Sequence, residues 1–124
     1  DEEVDYQGCW YPAGGHSWRQ FLNEDNPIQL TEVELLATDP VALTRLWRNI
    51  LGPSIDDSEC TIKLANSRLN FRQTMETEYP CLNGLTLMVR NKDDILSRAI
   101  KLDCDRADNQ IEICGTQFYL RSFE

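Results

Sequence analysis

Glu32 and Glu34 stand two residues apart in the stretch Leu30–Leu36, so on an extended chain both carboxylates point the same way. With Leu30 and Leu36 they occupy the side opposite Thr31, Val33, Leu35 and Ala37. Other stretches repeat this alternate spacing with polar groups: Thr86, Met88 and Arg90; Tyr119 and Arg121; and Arg68, Asn70 and Arg72. Two carboxylates, several guanidinium groups and a phenol on one surface have a definite chemistry. Arginine grips a carboxylate through paired hydrogen bonds, so such a surface suits a small polar or zwitterionic molecule. A glutamate buried there with a raised pKa would serve as a general base. The same residues can instead form cross-strand Glu–Arg pairs of modest energy around a shallow, wet surface. Both readings stand at this level.

Other chemistries lack the residues they need. The only histidine is His16, so no Ser–His–Asp set can be assembled. Gly14-Gly15-His16 lacks the Lys-Ser/Thr of a phosphate-cradling loop. The five cysteines (Cys9, Cys60, Cys81, Cys104 and Cys114) are odd in number and contain no Cys-x-x-Cys. That pattern points to reduced thiols in a cytoplasmic protein, with Cys60 and Cys114 at least partly structural. The formal charge of −9, from 12 basic and 21 acidic residues, argues against nucleic acid and against anionic membrane surfaces. No apolar run approaches the ~20 residues that cross a bilayer. The chain opens at Asp1 rather than Met, which is consistent with removal of an upstream piece.

The elements that position these groups occur twice. Thr31–Leu51 and Asn83–Asp103 align at a fixed offset that places Val33 on Leu85, Leu35 on Leu87, Leu43 on Ile95 and Ile50 on Leu102. At a slightly shorter offset Ile62 meets Ile111, Leu64 meets Ile113, Leu69 meets Phe118 and Phe71 meets Leu120. Each copy reads strand, helix, strand, turn, strand. In the first, Ile28–Thr38 is a strand and Thr38 or Asp39 caps a helix with Pro40 in its first turn. Leu43, Leu46, Trp47 and Ile50 form that helix's apolar stripe, and Gly52-Pro53 ends it. Cys60–Leu64 and Arg68–Thr74 make a hairpin. Met75–Asn83 is a connection with room for a short edge strand. In the second copy Gly84–Arg90 is the strand, Asn91 the cap, and Ile95, Leu96, Ala99, Ile100 and Leu102 the buried side of the helix. Gln110–Cys114 and Gln117–Phe123 close with a hairpin at Gly115. Residues 1–27 form an ordered aromatic arm holding Trp10, Tyr11 and Trp18, with a short strand expected over Ser17–Leu22. The remainder, 28–124, is one domain of two modules, 28–80 and 81–124.

The run Thr31–Gly52, TEVELLATDPVALTRLWRNILG, resembles the opening of a vicinal-oxygen-chelate domain, the glyoxalase/bleomycin-resistance/dioxygenase group. Leu35, Asp39, Trp47, Leu51 and Gly52 match its layout. Gly84–Ala99 resembles the second module's opening, and Ile113-Cys114-Gly115-Thr116-Gln117-Phe118 is similar to the last hairpin of glyoxalase-like members. The resemblance implies an α+β fold of tandem βαββ(β) modules. Their mixed sheet curls, with helices on the outer face and a cavity on the concave face. It implies a divalent metal in the enzymes of the group. The first ligand position falls on Glu32, the second on Gly84, which has no side chain to offer, and the last near the terminal Glu124. A degenerate metal site follows, with no cofactor required and Glu32 the one candidate ligand. The expected ligand-binding set is Glu32, Glu34, Arg72, Thr86, Met88, Arg90, Tyr119 and Arg121. The resemblance also implies a homodimer. Three functions remain in play: a small-molecule-binding protein without a metal, a metal-dependent enzyme of the same group, and a ferredoxin-like interaction module without ligand.

Overall fold

Alternation of apolar and polar residues makes the strands, and Asp39 and Asn91 open the two helices in the computed structural model, which describes residues 15, 17–21, 27–52 and 56–123. In chain order these are β1 (Ile28–Ala37), α1 (Pro40–Leu51), β2 (Asp56–Ser58), β3 (Thr61–Lys63), β4 (Arg68–Gln73), β5 (Cys81–Val89), α2 (Lys92–Lys101), β6 (Asp105–Ala107), β7 (Gln110–Ile113) and β8 (Thr116–Ser122). The fold is α+β. Among the described residues one mixed sheet runs β2-β3-β4-β1-β5-β8-β7-β6 and stays open rather than closing into a barrel. β1 is parallel to β4 and β5 to β8, while β1 and β5 meet antiparallel at the centre. The two outer strands, β2 and β6, are three residues long and carry charge, which protects open edges from pairing with other chains.

Register separates the two faces. Val33 lies beside Leu69 and Leu85, Leu35 beside Phe71, and Leu87 beside Leu120. These side chains form the face under the helices. Ile62, Leu69 and Phe71 are buried against Leu43 and Trp47 of α1. Val89, Ala99, Ile111 and Leu120 are buried with Ile95, Leu96 and Phe118 around α2. The Trp47 and Phe71 rings meet tilted, with centroids 6.3 Å apart, a geometry that adds ~0.5–1.5 kcal/mol beyond area burial. Glu32, Glu34, Asn70, Thr86 and Tyr119 occupy the opposite face.

Several expectations are corrected. The helical stripes are only partly used: Leu46 and Ile50 on α1, and Ile100 and Leu102 at α2, are exposed, because each short helix covers the sheet along one narrow line. Asn91 is the N-cap residue of α2 but its side chain makes no capping hydrogen bond. β5 begins at Cys81, three residues before Gly84. No edge strand forms between Gln73 and Cys81; the Glu78 N–H donates to the Met75 carbonyl at 3.0 Å and closes a turn there. β2 and β6 are additional short strands. Leu30 pairs opposite Leu87 rather than lining up with Glu32, and stays exposed, because an irregularity between Leu30 and Glu32 shifts the register. Trp18–Phe21 is a 3-10 turn, not a strand, tied by Gln20 N–H donating to the Ser17 carbonyl. Cys60 packs against the first core cluster as expected, but Cys114 is exposed at the last turn. There Cys114 and Gly115 both have positive φ, 53° and 77°, as a tight two-residue hairpin requires. The readings placed on Trp10, Tyr11, His16 and Glu124 lie outside the described residues.

Asp39 has extended φ and ψ, and its carboxylate accepts a 3.0 Å hydrogen bond from Ala42 N–H. Asp39→Ala removes that cap and is expected to cost about 1 kcal/mol. Urea unfolding should show a lower midpoint with an unchanged m-value; an unchanged midpoint would mean that the cap contributes nothing.

Candidate functional site

At the β1/β5 seam the polar face holds a small cleft of about 220 Å³ lined by Glu32, Glu34, Asn70, Thr86, Tyr119 and Arg121. Strand pairing assembles it. Glu32 lies opposite Thr86 and Glu34 opposite Gly84, while Thr86 is beside Tyr119 on the parallel neighbour. Glu34 lies beside Asn70 on the other side.

Glu34 touches three other strands. Its Oε1 accepts from Tyr119 Oη at 3.1 Å and from Asn83 Nδ2 at 2.6 Å. Its Oε2 lies 3.7 Å from Arg72 Nε. One carboxylate of β1 thus ties β4, β5 and β8 together. Asn83 reaches it because a register shift between Glu34 and Leu35 leaves Asn83 without a ladder partner on β1. Arg72 is held from beyond the strand as well: its guanidinium donates to both carboxylate oxygens of Glu78, at 3.1 and 3.0 Å. The second Glu78 oxygen also accepts from Met75 N–H at 2.8 Å.

Glu32 also accepts two hydrogen bonds. Asn70 Nδ2 donates to one oxygen at 3.1 Å and Arg121 Nη1 to the other at 3.1 Å. The Asn70 amide oxygen accepts from Thr61 Oγ1 at 3.3 Å. The Glu32 side chain is 16% exposed and that of Arg121 60% exposed. Such a pair contributes under ~1 kcal/mol.

Gly84 is where the chain makes room. A Cβ built there would lie 2.7 Å from the Tyr119 Cε2 atom. The phenol ring therefore lies over position 84, and the absent side chain is what lets its hydroxyl reach Glu34.

Tyr119 holds its proton tightly. Burial first, then the charge of Glu34 and the hydrogen bond to it, raise the phenol above its ordinary value near 10. It acts as a donor, not a base. Because the folded state binds this proton more firmly than the unfolded chain, the associated stability is complete below about 10 and is lost as pH rises through the raised value. Glu78 behaves in the opposite sense. Its hydrogen bonds from Arg72 and from Met75 N–H hold its carboxyl below the ordinary 4.5, so that contribution is present above 4.5 and is lost as pH falls through the lowered value.

Of the eight residues expected from the sequence, Glu32, Glu34, Thr86, Tyr119 and Arg121 line the cleft. Arg72 is adjacent, bound to Glu34 and Glu78. Met88 pairs with Arg121 one row further along the sheet, outside the lining. Arg90 is not part of the cleft: it follows β5 and lines a separate surface hollow with Asn91, Lys92 and Ser122 at the start of α2. Asn83 and Glu78 were not anticipated. The first depends on a register shift and the second on a turn, and neither leaves a periodic trace in sequence.

The divalent metal implied by the resemblance does not fit these residues. Glu32 stands alone among the expected ligand positions, and one of its oxygens is held by the Arg121 guanidinium. Position 84 is covered by the Tyr119 ring. Among the described residues no three His, Cys, Asp or Glu side chains converge, and a stable site needs such convergence. No family model matches the chain, and no curated relative matches it.

Glu34→Gln removes the charge that helps to raise the Tyr119 pKa but leaves the burial. Carbon-13 NMR of the tyrosine Cζ should show Tyr119 titrating lower than in the parent protein, yet still above the ordinary value. A value unmoved by the substitution would mean that the Tyr119–Glu34 contact is not formed in solution.

Proposed function

We propose that this chain is a small-molecule-binding protein of the vicinal-oxygen-chelate type, which takes a small polar ligand at the Glu32–Arg121 cleft without a metal. The observation that carries this reading is the gathering of Glu32, Glu34, Asn70, Thr86, Tyr119 and Arg121 from four strands at the centre of the sheet. The strand order supports the family assignment. Each repeat contributes β-α-β-β-β, ordered 2-3-4-1 in one and 5-8-7-6 in the other, joined through their first strands. The finer reading, two glyoxalase-like modules with sheets curled around a shared hollow, belongs to this proposal. The volume is below the usual 300–1,000 Å³ of ligand pockets, which limits the ligand to metabolite size. The reading is of binding, since the groups gathered there are hydrogen-bond donors and acceptors suited to holding a polar molecule. Free thiols at Cys60, Cys81, Cys104 and Cys114 favour a reducing compartment such as the cytoplasm. No helix among the described residues is long and apolar enough to cross a membrane.

A screen of polar metabolites, neutral polyols included, by nitrogen-15 NMR tests the proposal. At least one compound should shift the amide signals of Thr86 and Tyr119 in a saturable way. A complete, diverse screen that leaves both signals unmoved would end it.

We propose further that the protein is a homodimer. The exposed Leu46, Ile50, Ile100 and Leu102 give it apolar surface on both helices. Light scattering should give twice the chain mass, and Ile50→Glu with Ile100→Glu should reduce it to one. A parent protein that is monomeric at tens of micromolar removes the dimer and leaves the binding proposal untouched.

A further inference from the structure

The repeat makes Arg72 and Arg121 equivalent positions, and it makes Glu34 equivalent to Thr86. In the first copy the guanidinium of Arg72 is engaged twice over, by Glu34 and by both oxygens of Glu78. In the second copy the carboxylate is missing. Thr86 stands where Glu34 would, and Arg121 retains only one hydrogen bond, from Nη1 to Glu32. The other nitrogens of Arg121 make no hydrogen bond to any described residue, and the side chain is 60% exposed.

Thr86 adds an independent sign. The residue is 5% exposed and lines the cleft. Its backbone carbonyl accepts from Thr31 Oγ1 at 3.3 Å, but its own hydroxyl has no hydrogen-bond partner among the described residues. A buried hydroxyl left without a partner is costly, and it marks a place where a further polar group is wanted.

We infer that the ligand of this cleft is a small zwitterion of α-amino-acid type. Its carboxylate takes the place that a Glu34-like side chain would fill in the second copy, accepting from Thr86 Oγ1 and from the free side of Arg121. Its ammonium group faces Glu32, beside the oxygen bonded to Asn70. The charges require both ends. Glu34 is paired with Arg72 and Glu32 with Arg121, so a simple carboxylate brings a charge that nothing offsets, while a simple amine leaves Thr86 and the free side of Arg121 unused. The volume of about 220 Å³ is roughly the share of seven waters in the liquid. An α-amino acid as small as alanine or serine, about half that volume, fits there with a few waters. This inference rests on the small-molecule reading above and narrows it to one ligand class.

The test is titration of the full chain with alanine, propionate and ethylamine, read by the Thr86 and Tyr119 amide shifts. Alanine is expected to bind at least about tenfold more tightly than either half-ligand. Thr86→Val, which keeps the packing, and Arg121→Gln, at an exposed position, should each weaken alanine by about tenfold, the loss expected for one hydrogen bond to a charged group. Arg98→Gln on the helix face should leave it unchanged. If propionate or ethylamine equals alanine, or if the Arg121→Gln protein binds alanine as the parent does, the zwitterion assignment is overturned and the cleft remains a site for another ligand. If none of the three binds while a neutral compound from the screen does, the assignment is likewise overturned. If nothing at all binds, the small-molecule reading falls with it.

Discussion

The carboxylate of Glu34 is the contact on which the polar face depends. An anion on a half-covered sheet surface loses part of its hydration and must recover it from protein donors. Glu34 does so from three directions, through Tyr119 on β8, Asn83 on β5 and Arg72 on β4. Antiparallel pairing of β1 with β5 already holds the two repeats together along the backbone. Glu34 adds a side-chain tie at the same seam. It reaches across β5 to β8 and fixes the Tyr119 ring over Gly84. The cleft therefore has one wall whose polar groups are satisfied within the protein and another, formed by Thr86 and Arg121, whose groups are not.

That division comes from unlike residues at matched positions of the two β-α-β-β-β units. Equivalent backbone positions carry Glu32 and Gly84, Glu34 and Thr86, Asn70 and Tyr119, Arg72 and Arg121. Two identical copies would place carboxylates at both 84 and 86, beside those at 32 and 34. Four anions at one seam would repel strongly at low effective dielectric. Replacing two of them with Gly and Thr removes the repulsion. It also leaves the second arginine short of a partner and opens the space that Tyr119 partly fills. A homogeneous seam would be a structural ion-pair lattice; the asymmetric one has open hydrogen-bonding capacity on one side only.

Much of this was legible in residue order. The strand Ile28–Ala37, the Asp39-Pro40 cap and the closing turn at Cys114-Gly115 all appear in the structure, because each is a local rule acting on neighbouring residues. The pairing of Glu32 and Glu34 with Thr86, Tyr119 and Arg121 was legible too, since period two and a repeat are enough to place them. What failed was non-local. Register shifts took Leu30 out of line with Glu32 and freed Asn83, and one extra residue in a ladder has no signature in composition. Arg90 was extrapolated along a strand that ends at Val89. Ile50 and Ile100 have the helical spacing of buried residues, yet they stay exposed beside the narrow line along which each helix meets the sheet. Periodicity reports which side of a helix is apolar; it says nothing of how much of that side meets a partner.

The weakness of the Glu32–Arg121 pair is itself informative. A carboxylate locked as firmly as Glu78 is by Arg72 would have to break two short hydrogen bonds before meeting anything else. Glu32 and Arg121 share a single bond at 3.1 Å, with Arg121 largely in solvent, so rearranging them costs little. The pair keeps the buried end of Glu32 satisfied in the free protein without committing either charge. With Glu34 bonded to Asn83 and Tyr119 and Arg121 largely in solvent, moving the arginine alone admits a ligand at low reorganisation cost. A pure ion-pair lattice leaves no buried donor over, so the unpartnered Thr86 hydroxyl beside the half-engaged Arg121 is the physical reason for reading this surface as a site rather than as ordinary sheet pairing.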